Sequence, residues 1–198
     1  MKIYILRHED RTQDCSFFSP LTKMGLENAA DLVDPLTHES INMIISSPFI
    51  RTLQTIYPYS KESHIKINLE YGLIELHNED LIPKKAVGIS LPEYLAEAFN
   101  YNPEYKTIIK PTEITYPEKI QDVSKRVKRI LKKIIGEYYT TDYNIVIVTH
   151  QTICSIILSI VNEHSQKHKL KKSVISNYEK GQLTLVYENG WTYKSINK

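Results

Sequence analysis

Three short apolar runs in this chain end in residues that carry chemistry, and this repetition constrains the fold more than any other feature. Ile3 to Leu6 consists of strand formers and stops at Arg7-His8, within MKIYILRHED. Met43 to Ile45 passes through Ser46-Ser47-Pro48 into a helical stretch with Arg51 one turn in. Asn144 to Val148 runs on to His150, within NIVIVTHQ. In an open parallel sheet, ligands bind outside the carboxyl ends of the strands. Three such ends bring two histidines and two arginines to one rim. That is the composition of a phosphate site with a nucleophile in it.

The segments between these runs read mainly as helices. Thr22 is an N-cap for a helix with Leu26, Ala29, Ala30 and Val33 on one face, ended by Pro35. Ser47-Pro48 is a cap followed by proline at the first helical position, starting a helix from Phe49 to about Tyr57. Its amino end and Arg51 both favour an anion. Ile65 to Asn68 alternates as a short strand and leads to GLIEL, which holds Glu75. From His77 to Tyr116 periodicity weakens and prolines accumulate, with a short helix over Leu91 to Phe99. An excursion of this kind between core elements reads as a functional cover.

Pro117 opens the longest helical pattern, with Ile120, Val123, Val127, Ile130, Leu131, Ile134 and Ile135 at spacings of three and four. A helix from about Thr152 to Val161 follows the strand before His150. Leu183 to Tyr187 and Trp191 to Ser195 form a hairpin around Glu188-Asn189-Gly190. The expected fold is α/β in three layers, with a mostly parallel central sheet flanked by helices. One domain over residues 1–198 is expected, with a substrate-covering insertion at about 77–116.

Composition narrows the partners. With 41% hydrophobic and 24% charged residues the 198-residue chain is long enough for a full core, and its formal charge of +2 gives no reason to expect nucleic acid or membrane. The basic helix face Lys125, Lys128, Arg129, Lys132 and Lys133 reads as solvated, and Lys167 to Lys172 as a surface loop. Cys15 and Cys154 read as reduced thiols, and His38, His64, His164 and His168 lack metal-ligand spacing. Lys2 is followed by too short an apolar run for a signal peptide, so a cytoplasmic protein is expected.

The residue types at the rim assign roles. Arginine offers a fixed fork of donors for phosphate oxygens, which makes Arg7 and Arg51 the clamps. Neutral imidazole can attack phosphorus, and His8, beside an arginine, is the candidate nucleophile. His150 is a donor to a phosphate oxygen. The leaving alkoxide needs a proton, a contribution typically worth ~10²–10⁴-fold, and Glu75 is the carboxylate placed to give it. Taken singly these residues are as compatible with structural roles; their joint appearance at strand ends carries the reading.

ILRHEDR resembles the Arg-His-Gly-Glu signature of the histidine phosphatase superfamily, phosphoglycerate mutase-like branch. PLTKMGLENA is similar to its Leu-Thr-x-x-Gly-x-x-x-Ala helix start, and IISSPFIRTLQTI to its Ser-Ser-Pro-x-x-Arg-x-x-Gln-Thr segment. GLIEL resembles the segment carrying the acid, and IVIVTHQTI the final histidine segment. These blocks occur in family order from residue 2 to about residue 160. The resemblance implies a phosphohistidine at His8, a pocket of Arg7, Arg51 and His150, proton transfer by Glu75, a phosphoglycerate mutase-like fold, no cofactor and no metal requirement.

Finer likenesses refine this. His150-Gln151 is like the His-Gln of fructose-2,6-bisphosphatase domains, making Gln151 a candidate substrate contact. YPEKIQDVSKRV looks like that group's Gly-Glu-Ser-x-x-Asp-x-x-x-Arg stretch, with Glu118, Asp122 and Arg126 in register. Glycolytic mutases carry a basic and aromatic motif after the acid, where this chain reads Glu75-Leu76-His77-Asn78. A phosphomonoester hydrolase is therefore expected ahead of a mutase. His77, two residues after Glu75, is a further candidate substrate contact, and the substrate is a phosphorylated small molecule or phosphoprotein.

One departure stands out. Glu9 occupies the position of the small residue after the nucleophile, and Asp10 that of the usual glutamate. Arg11 resembles the Arg-His-x-Glu-Arg form of eukaryotic phosphatases of the T-cell signalling suppressor type. A carboxylate facing a phosphate dianion at a few ångströms opposes binding by ~1 kcal/mol in water and more at lower dielectric. Neighbouring strand residues point to opposite faces, so Glu9 is expected to turn away from His8. The competing expectation is a weakly active phospholigand-binding or protein-binding module.

Overall fold

The computed structural model describes residues 1–14, 16–79, 84, 90–165 and 169–197. Six strands, β1 (Lys2–Arg7), β2 (Met43–Ser46), β3 (Ile67–Leu69), β4 (Asn144–Thr149), β5 (Leu183–Glu188) and β6 (Trp191–Ser195), form one sheet in the order β3-β2-β4-β1-β5-β6. The first four in that order pair parallel, β5 pairs antiparallel with β1, and β6 antiparallel with β5. Only β5 runs against the rest, so the sheet is mixed and mostly parallel.

The two central strands explain their own sequences. Ile3–Leu6 and Ile145–Val148 are fully buried on both faces, which is why they read as continuous apolar runs. The period of two then sorts them between the outer layers. Ile3, Ile5, Ile145 and Ile147 meet α5 (Ile120–Tyr138) and α6 (Gln151–His164) through Val123, Val127, Ile130, Ile153 and Ile157. Tyr4, Leu6, Val146 and Val148 meet the other layer through Leu36, Phe49, Leu53 and Ile56. That layer holds α1 (Lys23–Asp31), α2 (Val33–His38) and α3 (Ile50–Ser63). Among the described residues, short helices α4 (Glu93–Glu97) and α7 (Lys172–Ser176) complete the set, so Lys172 opens a helix where a loop was expected.

Several local expectations are corrected. Thr22 does cap α1, accepting from Gly25 N–H at 3.0 Å, but the inward face is Gly25, Ala29 and Leu32, while Leu26 and Ala30 are exposed. The chain kinks at Leu32, and Pro35 lies in the first turn of α2, where a missing N–H costs nothing. It starts a second helix instead of ending the first. Helix α3 runs through Pro58 to Ser63, held beyond the proline by buried Tyr59 and Ser60, whose hydroxyls donate to the carbonyls of Ile41 and Ile65. Its N-cap residue is Phe49, and Ser47 is engaged elsewhere.

The stretch after Glu75 is tied down along the edge strand β3. Ile67 exchanges backbone hydrogen bonds with Asn100 and Asn102, and Leu91, Ala96 and Ile109 are buried. Part of the expected cover, residues 80–83 and 85–89, lies outside the described residues, as do Cys15, Lys167 and His168. Among the described residues, no helix is long and apolar enough to cross a membrane.

Candidate active site

The register of the parallel strands builds the site. Arg7, the last residue of β1, stands opposite Thr149 at the end of β4, and Ser46 of β2 stands opposite Val148. The next residues continue the ladder: His8 N–H donates to Thr149 O and Ser47 N–H to Val148 O, both at 3.0 Å. Arg7-His8, Thr149-His150 and Ser46-Ser47 thus emerge side by side at one rim. Arg51 reaches the same rim from the first turn of α3, and Glu75 from the loop after the 3-10 turn Tyr71–Leu73. A cavity of about 650 Å³ opens there, with Arg7, His8, Arg51, Glu75 and Gln151 in its wall.

His8 is prepared by its surroundings. Its Nδ1 lies 2.7 Å from Glu9 O, and since a carbonyl only accepts, Nδ1 carries the proton and Nε2 is bare. Burial, followed by the Arg51 charge, holds the imidazole well below the ordinary histidine value, with Arg7 and Arg11 acting in the same sense. The backbone contact to Glu9 works the other way. The His8 ring is therefore neutral at pH 7.

His150 has no exposed surface and supports the floor beneath the cavity. Its ring meets His8 edge-on, with centroids 5.2 Å apart, and packs against Phe49 at 4.8 Å. Nε2 is 2.8 Å from Ser47 Oγ, whereas the buried Nδ1 has no partner. Burial, then the Arg51 charge, keeps this imidazole neutral too. The serine expected to cap α3 instead orients a histidine.

The guanidinium groups are anchored through backbone oxygens. Arg51 Nη1 donates to Ser16 O at 2.8 Å, and the group lies 4.5 Å from the centre of the Phe49 ring. Arg7 Nη1 donates to Tyr178 O at 2.7 Å, while its buried Nε has no partner. Burial lowers the Arg7 value, opposed in part by Glu75, yet arginine stays charged. Glu75 accepts from Leu76 N–H at 2.8 Å through one oxygen and from Thr152 N–H, in the first turn of α6, at 3.4 Å through the other.

Gln151 lines the cavity, but its Nε2 donates to Ser176 O at 2.8 Å, leaving Oε1 buried without a partner. His77 is not on the cavity wall. It is 1% exposed, its Nδ1 is 3.0 Å from Glu75 O, and its ring faces Phe49. The structure sets it behind Glu75, not where a substrate contact was expected. Glu9 turns away as the strand alternation requires. Its carboxylate accepts from Asn28 Nδ2 at 3.3 Å and fills the space above Gly181, where a Cβ would lie 1.6 Å from Glu9 Oε1.

Other wall residues were not expected at the site. Asp10, Arg11, Thr12, Gln13, Thr22, Thr152 and Lys180 complete the lining, and Asp10 forms an ion pair with Lys180. The latter two are far apart in the chain, and nothing local announces their pairing. Ser47, which bonds His150 beneath the cavity, stood in the Ser-Ser-Pro motif, where its hydroxyl had a local use as a cap. A larger groove, about 860 Å³, runs along Lys128, Arg129, Lys132 and Lys133 of α5, but no histidine or cysteine lines it. Among the described residues no cluster has the makeup of a metal site.

A family model, histidine phosphatase superfamily (branch 1), matches residues 5–198. The chain belongs to this superfamily. Solved structures agree in fold. The ecdysone phosphate phosphatase of Bombix mori, in complex with tungstate, is 16% identical with a TM-score of 0.76, over 98% of this chain and 92% of that one. The alpha-ribazole phosphatase of Shigella flexneri is 20% identical with a TM-score of 0.65, over 100% and 96%. A mycobacterial glucosyl-3-phosphoglycerate phosphatase with inorganic phosphate is 13% identical with a TM-score of 0.63, over 98% and 94%. A search of curated proteins gave no match. Likenesses this distant establish the phosphoglycerate mutase-like fold of this superfamily member, and its chemistry follows from its own site.

Proposed function

We propose that this chain is a metal-independent phosphomonoester hydrolase acting through a phosphohistidine at His8. The observation that carries the reading is the state of the His8 ring: neutral, with Nδ1–H committed to Glu9 O and the Nε2 lone pair left for attack. The substrate dianion sits between Arg7 and Arg51, and the buried donor groups Arg7 Nε and His150 Nδ1 complete its shell. These charges supply the stabilisation that phosphoryl transfer requires, so no metal enters the scheme.

His8 Nε2 attacks phosphorus in line, the ester P–O bond breaks, and the protonated Glu75 carboxyl gives its proton to the leaving oxygen. Glu75, now a carboxylate, then takes a proton from water as that water attacks the phosphohistidine. The P–N bond breaks, and phosphate leaves a neutral His8 and a protonated Glu75. Among the described residues the cavity wall contains no aliphatic side chain and no Phe, Tyr or Trp, which favours a hydrophilic leaving group. Gln151 Oε1, without a partner, is an acceptor for a hydroxyl on it. His77 acts through Glu75, whose carbonyl it holds.

The position of Glu9 favours turnover over a binding-only role, because its charge is directed at Asn28 and away from the site. The test is hydrolysis of nitrophenyl phosphate with chelator present, for wild type beside His8→Ala, with enzyme quenched in alkaline detergent assayed for phosphohistidine, whose P–N bond survives alkali. Activity and label, both lost in the variant, are expected. Binding of phosphate without turnover would overturn the reading, and transfer back to a phosphoglycerate in preference to water would replace it with a mutase.

A further inference from the structure

The loop that presents Glu75 is gripped from behind by a buried ion pair, and we infer that Glu118 and Arg126 are positioning residues for Glu75 in proton transfer. The inference rests on the acid role proposed for Glu75.

Both side chains are almost wholly inaccessible, at 3% and 6% exposed. Arg126, on the inward face of α5, meets Glu118 through two parallel bonds, Nε to Oε1 at 2.9 Å and Nη2 to Oε2 at 3.0 Å. Each partner retains hydrogen-bonding capacity, and each directs it to the Glu75 loop. Arg126 Nη1 donates to Gly72 O at 2.5 Å, three residues before Glu75. Glu118 Oε2 accepts from His77 N–H at 3.1 Å, two residues after it, and Glu118 N–H donates to His77 O at 2.6 Å. The loop is thus fixed on both sides of its acid by one rigid unit.

Two further contacts tie this unit to the reacting centre. Thr149, one residue before His150, donates its hydroxyl to Leu73 O at 2.7 Å, and His77 Nδ1–H donates to Glu75 O at 3.0 Å. The loop is thereby joined to the strand that delivers His150. A bidentate guanidinium–carboxylate pair is rigid in a way that lysine or a single hydrogen bond is not. A buried pair is weak evidence for stability, since an apolar pair of similar volume often serves as well. What an apolar pair lacks is a donor for Gly72 O and an acceptor for His77 N–H, the two backbone groups that hold the loop on either side of Glu75.

The experiment is a leaving-group series, dinitrophenyl, nitrophenyl and phenyl phosphate, read as kcat/KM, which reports transfer to His8 up to departure of the leaving group. Wild type is compared with Glu75→Gln, Glu118→Gln and Arg126→Lys. An acidic phenol leaves without a proton, whereas phenol itself needs one. Misplacing a reacting group by about 1 Å costs ~10²-fold. Glu118→Gln and Arg126→Lys are therefore expected to lose about that factor on phenyl phosphate and only a few-fold on dinitrophenyl phosphate, following the steeper dependence of Glu75→Gln.

If the single variants do not fold, the double variant Glu118→Gln/Arg126→Met, which leaves no unpaired buried charge, carries the same test. A uniform loss across the series in the Glu118 and Arg126 variants, with Glu75→Gln alone steepened, would overturn positioning and leave a structural pair. No steepening in Glu75→Gln would overturn the acid role and this inference with it.

Discussion

The rings of His8 and His150 stand edge to face, with centroids 5.2 Å apart and planes at 64°, and burial holds both well below the ordinary histidine value. Two imidazoles next to Arg51 cannot both gain protons without adding charge to an already cationic site. The unfolded chain, with histidines near 6.5, takes up those protons first as pH falls. Native stability from this source is therefore present above about pH 6.5 and lost below it, by up to ~1.4 kcal/mol per pH unit for each histidine. Denaturation between pH 7.5 and 5.5 should show this decline, with a shallower slope in His150→Gln. A flat profile would mean that the native rings take up protons as readily as those of the unfolded chain.

Glu9 and Gly181 occupy one space. Gly181 has φ +63, and the methyl of an alanine there would overlap Glu9 Oε1. Gly181→Ala should destabilise by more than ~1 kcal/mol from the left-handed backbone alone. The further cost of the clash should disappear in the double variant Glu9→Gly/Gly181→Ala, so the two changes are non-additive in urea denaturation. Glu9→Gln should leave KM within a few-fold of wild type. A large fall in KM would show that the carboxylate opposes the substrate phosphate after all.

Arg51 has its guanidinium fixed by Ser16 O and by the Phe49 ring. Lysine has neither the fork nor the flat face for this geometry. Arg51→Lys is expected to lower kcat/KM for a phosphomonoester by ~10²-fold, the scale for removing one pre-organised donor from a charge that develops in the transition state. Thermal denaturation should confirm a folded variant. Activity retained within a few-fold would remove Arg51 from the clamp.

The sequence displayed the site where chemistry and strand ends coincide, and lost it where a side chain had two physically reasonable uses. Arg7, His8 and His150 were legible because both central strands are buried on each face and end abruptly in polar residues. Ser47 fits a helix cap, and only the fold shows that the neighbouring strand brings His150 Nε2 within 2.8 Å of its hydroxyl. Pro35 illustrates the same limit, since proline both ends helices and begins them, and the kink at Leu32 decides which. The spacing of His77 to Glu75 made it a candidate substrate contact. Its burial depends on contacts with Phe49 and Glu118, remote in sequence.

Glu70 shows how much polar structure can hide behind an unremarkable letter. It has no exposed surface, and its carboxylate accepts from Gly72 N–H at 2.9 Å, Ile108 N–H at 2.6 Å, Ile109 N–H at 3.1 Å, Thr107 Oγ1 at 3.0 Å and Tyr105 OH at 3.2 Å. Hydrogen bonds to a charged group are individually worth ~1.5–3 kcal/mol, and the donors left unsatisfied add a desolvation penalty. Glu70→Ala should therefore destabilise by ~3–5 kcal/mol, the range for breaking a buried charged arrangement. The loss should be local first, because Glu70 carries most of the polar contacts that pin residues 107–109 to the turn Tyr71–Leu73, alongside the bond from Tyr71 N–H to Thr107 Oγ1 at 3.1 Å. Hydrogen exchange should accelerate at the Ile108 and Ile109 amides before the β1 and β4 amides change. Uniform acceleration across the sheet would show instead that this carboxylate supports the whole fold and not the segment beside Glu75.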